Sequence, residues 1–196
     1  MAMVPRITAV SYLDTLPFVY GVEHEGNFRA ELALSDFSAA VADFREGRAD
    51  IALLPVHAVP SLAGARIVTG YCVGFTARAT VDFLLEAEPE SPAAALFAGS
   101  GAPLAPLLDT KKPCAYAVWA AHADTDPDWT EGLQHALTFG LEHTYEAILA
   151  GGYGEKSYDV YGHLSRIDYI FDNQKDKALK KFWNSGLKAD LRANPG

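Results

Sequence analysis

An α/β fold is expected for this 196-residue chain, and two continuous apolar runs with a helical pattern between them are what predict it. The first run is Ile7-Thr8-Ala9-Val10, and the second is Asp50-Ile51-Ala52-Leu53-Leu54-Pro55-Val56, stopped by its proline. Runs without alternation belong to strands covered on both faces, as in parallel sheets. Between them Phe37, Ala40, Val41 and Phe44 fall at helical spacing, with Ser35 or Asp36 as N-cap and Gly47 as C-cap. Two strand-to-loop units around a helix make a βαβ-type layout.

The loop behind the first strand is Ser11-Tyr12-Leu13-Asp14-Thr15-Leu16-Pro17. Pro17 cannot continue a ladder, and Ser11, Asp14 and Thr15 can turn hydrogen-bonding atoms toward a ligand. In open α/β sheets ligands sit in the crevice outside the carboxyl ends of strands, which is where this loop falls. Taken alone, the same residues also read as a plain polar strand-to-helix turn. Further along, Val81-Asp82-Phe83-Leu84-Leu85 reads as a strand, and residues 104–109 as a linker helix. Cys114 to Trp119 is a strand, and Asp126-Pro127 is an N-cap with proline at the first helical position. Trp129, Leu133, Leu137, Leu141 and then Ile148 predict one long helix ended by Gly151-Gly152. Residues 158–170 and 175–183 read as two closing helices, the second with Lys180 and Lys181 in its last turn, and residues 184–196 as a frayed tail.

The formal net charge of -9 argues against a nucleic-acid footprint or a polybasic membrane contact. No run approaches the roughly 18 apolar residues of a membrane span. The start of the chain, Met1-Ala2-Met3-Val4-Pro5-Arg6, lacks the charged and apolar regions of a secretory signal, so cytoplasmic residence is expected. Cys72 and Cys114 form no C-x-x-C pair and read as buried inert thiols. His57 follows the Pro55 turn and can face the cleft. His24, His122, His135, His143 and His163 fall in caps or helices, and no pair has metal-ligand spacing. Neither metal nor cofactor is expected.

Residues 11–17, Phe18-Val19-Tyr20-Gly21 and residues 50–56 resemble the start of chorismate dehydratase, from the futalosine route to menaquinone. Tyr71-Cys72-Val73-Gly74, Tyr116-Ala117-Val118-Trp119-Ala120-Ala121 and Phe139-Gly140-Leu141-Glu142-His143 add to the likeness, which covers about residues 5–85 and 102–185. Several short blocks in the right order make it specific. The sibling dihydroxynaphthoate synthase opens with a Cys-Pro-Asn-Asp type loop, so Ser11-Tyr12-Leu13-Asp14 favours the dehydratase branch.

The resemblance implies one lobe of a type II periplasmic-binding-protein-like fold, with a mixed, mainly parallel sheet and helices on both faces. The lobe would comprise residues 1–90 and 102–196, with an Ala/Pro/Gly-rich junction at 91–101 where the family places its second lobe. A domain needs at least about 50 residues, so that lobe is missing. The implied reaction is loss of water from chorismate, giving 3-[(1-carboxyvinyl)oxy]benzoate. The implied partner is a small dicarboxylate, with an oligomer as one way to rebuild the cleft. The alternative is a non-catalytic, vestigial lobe that binds small carboxylates.

Carried over position by position, the resemblance assigns Ser11 to catalysis and Tyr12, Thr15, Pro55 and Val56 to substrate binding, and Asp14, if protonated, is placed to act as an acid to the departing hydroxyl. The loop after Gly74 departs from the family's small, serine-bearing turn, but Thr76 and Thr80 keep hydroxyls in reach of the substrate there, with Arg78 between them. Backbone N–H groups and hydroxyls of this kind suit a dianion, and Arg78 offers a bidentate fork for a carboxylate. Position 14 departs from the family's Asn. An ionised carboxylate about 4 Å from a substrate carboxylate repels it by roughly 4 kcal/mol at an effective dielectric near 20. Either Asp14 is held protonated, or the ligand is not chorismate, or the site is altered.

Overall fold

The computed structural model describes residues 3–77, 80–82, 96–97, 103–108 and 112–192, with the side chains of 108 and 186–192 left aside. Its strands are β1 (Arg6–Val10), β2 (Glu31–Ser35), β3 (Ile51–Pro55), β4 (Arg66–Phe75), β5 (Cys114–Ala121) and β6 (Asp168–Ile170). Its helices are α1 (Leu16–His24), α2 (Phe37–Arg45), α3 (Ala105–Leu108), α4 (Pro127–Glu142), α5 (Thr144–Ala150), α6 (Ser157–Leu164) and α7 (Asn173–Arg192).

The six strands form one sheet in the order β2-β1-β3-β5-β4-β6. β1 is parallel to β2 and β3, and β5 is antiparallel to both β3 and β4. β1 to β4 therefore share one direction, which β5 and β6 oppose. All five residues of β3 and all eight of β5 are buried, as strands covered on both faces require. Trp119 meets Phe18 of α1 at a ring separation of 6.0 Å, whereas His122, three residues on, stacks on Phe44 of α2. An odd spacing points to opposite sides of a strand, so helices cover both faces. Asp36 caps α2 by accepting from the Ala39 N–H at 2.8 Å, and Gly47 follows with φ 69°.

Several expectations are corrected. The long helix breaks at His143 (φ -111°, ψ 33°), whose ring Nδ1 lies 2.8 Å from the Phe139 carbonyl oxygen, and α5 begins at the next residue. The helix expected over 158–170 ends at Leu164. The N–H groups of Arg166 and Ile167 then bond back only three residues, and Asp168, Tyr169 and Ile170 become an edge strand on β4. Lys175, only 1% exposed, fastens that strand to α7 through its Nζ, 2.5 Å from Asp168 Oδ2. α7 itself runs on to Arg192 through most of the expected tail. Thr80, Val81 and Asp82 are helical rather than extended, after a turn closed by the Thr80 N–H on the Ala77 carbonyl, and the rest of that expected strand lies outside the described residues. Most of the 91–101 junction lies outside them too. Leu96 and Phe97 are described and buried, and Phe97 sets its ring edge against Tyr116 at 5.6 Å.

Candidate functional site

At the carboxyl end of β1 the chain leaves the sheet after Ser11, whose N–H still bonds the Ser35 carbonyl at 3.0 Å. It then turns through a short 3-10 helix, Leu13–Thr15. That turn drives Asp14 inward until the residue is 2% exposed. A carboxyl group so placed needs partners for both oxygens. Tyr116 of β5 donates its phenol hydrogen to Oδ2, and His163 Nε2 of α6 lies 2.7 Å from Oδ1. Tyr169 of β6 donates to the Asp14 backbone carbonyl at 2.7 Å. Three elements distant in sequence thus converge on one residue of the loop.

The neighbouring strand end joins the same cluster. The Val56 N–H donates to the Tyr116 carbonyl at 3.0 Å, and Trp183 Nε1 donates to the Val56 carbonyl at 2.7 Å. Tyr116 therefore holds the loop after β3 by its backbone and the loop after β1 by its side chain. Burial pushes the Tyr116 phenol well above its usual range, helped by the Asp14 carboxylate, and burial then Asp14 do the same to Tyr169. Both phenols stay protonated and act as fixed donors.

The remaining expected residues divide. Ser11 is exposed at the rim, and Tyr12 is half-buried with its ring edge 5.6 Å from Phe37. Thr15 is buried, and its single hydroxyl proton is shared between the Val10 and Tyr12 carbonyls at 2.6 and 2.9 Å. The Thr15 hydroxyl and the Val56 N–H, expected to turn toward a ligand, are engaged inside the fold, because a buried polar group must be satisfied locally. Pro55 is buried beside them. Thr76 is exposed in the bend after β4 and Thr80 lies in the helical turn that follows, while Arg78 is outside the described residues. No hydrogen bond among the described residues joins Thr76 or Thr80 to the Asp14 cluster.

Sequence reading missed Tyr116, His163, Tyr169 and Trp183 as site residues. Tyr116 carried a signal, since a phenol in an otherwise apolar, fully buried strand must find a partner. His163 carried a weaker one, because Val160, His163 and Leu164 share the buried stripe of α6. The thiols are buried as expected, and burial pushes the Cys72 thiol strongly up. No helix among the described residues is long and apolar enough to cross a membrane.

No family model matches the sequence, and no curated protein matches it. Solved structures do share its fold. Protein AF1704 from Archaeoglobus fulgidus is similar at a TM-score of 0.68 and 14% identity, over 95% of this chain and 98% of that one. The Candida albicans CA3427 gene product, described as having the generic periplasmic binding protein fold, gives 0.57 and 10% over 92% and 90%. An ABC transporter from Parabacteroides distasonis gives 0.56 and 12% over 92% and 91%. The chain therefore has a periplasmic-binding-protein-like fold.

Proposed function

We propose that this chain is a lyase of the chorismate dehydratase type, reading the carboxyl ends of β1 and β3 as one wall of the substrate site. The observation that carries the proposal is the pairing of Asp14 with His163 beneath the loop that resembles the family's. The like-charge objection loses force because the Asp14 carboxyl is 2% exposed and turned onto Tyr116 and His163 inside the fold, away from a substrate carboxylate. Ser11 and Tyr12, at the rim, contact the substrate, and Thr76, Arg78 and Thr80 are assigned to it as further substrate-binding residues. Asp14 and His163 sit a layer below, and their hydrogen bond holds the loop that carries Ser11 and Tyr12. Dehydration takes one proton from the ring carbon and returns one to the departing hydroxyl as water, so the reaction consumes none.

The test is incubation of the full chain with chorismate, read by ultraviolet absorbance of the aromatic product and by calorimetry. Binding that weakens in Ser11→Ala, with slow product formation abolished in His163→Phe, is the expected result. Absence of chorismate binding to the folded chain overturns the proposal. A second reading, a carboxylate binder without turnover, is favoured by one observation: the Thr15 hydroxyl and the Val56 N–H are engaged internally. Binding of chorismate without product supports that reading instead.

A further inference from the structure

A cavity of about 390 Å³ opens between the corner joining α4 to α5 and the carboxyl end of α6. Its volume lies in the lower part of the range for small-molecule pockets, about 300–1,000 Å³. Glu142 and Glu146 line it, together with the rings of Tyr145, Tyr161 and Tyr169. Tyr145 and Tyr161 are each 53% exposed. Aromatic residues left this open forgo burial that the core offers elsewhere.

The carboxylates and helix ends that line the cavity are mostly negative. Glu142 is the last residue of α4, where the aligned peptide dipoles already present partial negative charge, so the carboxylate there is unfavourable until a cation arrives. α6 also ends against the cavity at Leu164, adding the carbonyl end of a second helix. The start of α5 points the other way, but it is a helix of seven residues with Glu146 in its first turn. Neither glutamate is in an ion pair among the described residues. Three tyrosines line the cavity, and phenol rings carry quadrupoles that attract a cation at their faces, which suits an alkylated ammonium better than a metal. A metal ion wants more carboxylate or imidazole ligands, and no group of three or more His, Cys, Asp or Glu able to hold one occurs among the described residues.

We propose that this cavity is a binding site for a small organic cation, an alkylated ammonium held among the tyrosines with Glu142 and Glu146 as counter-charges. The site is separate from the loop surface given to the carboxylate substrate, and the two share one wall, since the Tyr169 phenol donates to the Asp14 carbonyl. The reading does not depend on the lyase activity, and its test uses no chorismate.

The experiment is titration of the full chain with choline chloride at low ionic strength, following the tyrosine ring signals by NMR. 3,3-Dimethylbutan-1-ol, the uncharged analogue of the same shape, serves as comparison. Saturable shifts at Tyr145 and Tyr161, with the alcohol binding at least about tenfold more weakly, are expected. The double variant Glu142→Gln, Glu146→Gln should lose about tenfold in affinity. Tyr161→Phe should keep binding that Tyr161→Leu loses. All three substituted positions are at the surface, so the fold is retained. Equal affinity for the alcohol, shifts that never saturate, or variants that bind like the parent overturn the proposal.

Discussion

Asp14 meets donors from β5, α6 and β6, so its carboxyl group and carbonyl tie together parts of the chain more than a hundred residues apart. Removing one member of a buried charged set strands the others without partners, and that loss exceeds what the pair contributes over an apolar replacement. Asp14→Ala is therefore expected to cost about 3–5 kcal/mol in urea unfolding. Asp14→Asn, which keeps an acceptor for Tyr116, should cost clearly less. Equal losses would mean that the charge, not the hydrogen bonds, holds the loop. The phenols make a second expectation, with a definite sign. Tyr116 and Tyr169 both have native pKa values raised by burial. Above a pH of about 10 the unfolded chain releases protons that the native chain keeps. Stability is thus intact below that pH and declines as the pH rises from there toward the native values, by about 1.4 kcal/mol per pH unit for each phenol. Unfolding free energies measured across the alkaline range should show a shallower slope in Tyr116→Phe. An unchanged slope would place the Tyr116 phenol at its ordinary value. The sequence exposed Asp14 because a polar residue in a loop between strand and proline stands out. It concealed Tyr116 and His163, because their partner lies far along the chain and only the fold supplies it.

The pairing of α1 with α4 has a cause at two glycines. A Cβ on Gly140 would overlap the Pro17 carbonyl, and one on Gly21 would overlap the Ala136 carbonyl. Backbone meets backbone here, so no side chain can rotate away to make room. Gly140→Ala should cost at least about 1–3 kcal/mol and lower the thermal midpoint. Gly162→Ala, with open space around it, is the control and should leave the midpoint unchanged or raised. A Gly140→Ala variant as stable as the parent would mean that the two helices separate at little cost. At this scale the sequence was legible where one signal dominated. Apolar runs marked β1, β3 and β5, and the Asp36 cap and Gly47 bounded α2. It failed where two patterns competed. Leu141 and Ile148 continue the apolar spacing across His143, yet the helix turns there. Ile167, Tyr169 and Ile170 carry strand chemistry inside a stretch whose spacing also suits a helix, and pairing with β4 decides between them. β2 offers no such run, because its residues are mostly exposed at the sheet edge.

For the whole molecule, the proposed reading as a single lobe, from a family that closes its substrate between two, carries a consequence for turnover. Residues 86–101 are too few to build a second domain of about 50 residues. A ligand on the carboxyl edge of β1 and β3 then keeps its far side in water. Hydrogen bonds to its carboxylates compete with solvent there, and nothing restrains the leaving hydroxyl. Positioning of reacting groups can supply roughly 7–11 kcal/mol of barrier lowering, and it needs both walls. Binding suffers less, because it draws on the groups of one wall alone. The expected consequence is a split: chorismate affinity within reach of calorimetry, but slow turnover. Inserting a family second lobe between Glu90 and Ala102 should raise turnover by orders of magnitude while affinity changes far less. Oligomers that rebuild the cleft would do the same without an insertion, and would reveal themselves as turnover per chain that rises with protein concentration. Fast product formation by the dilute unmodified chain would show instead that the Asp14–His163 pair and the Ser11 rim suffice from one side.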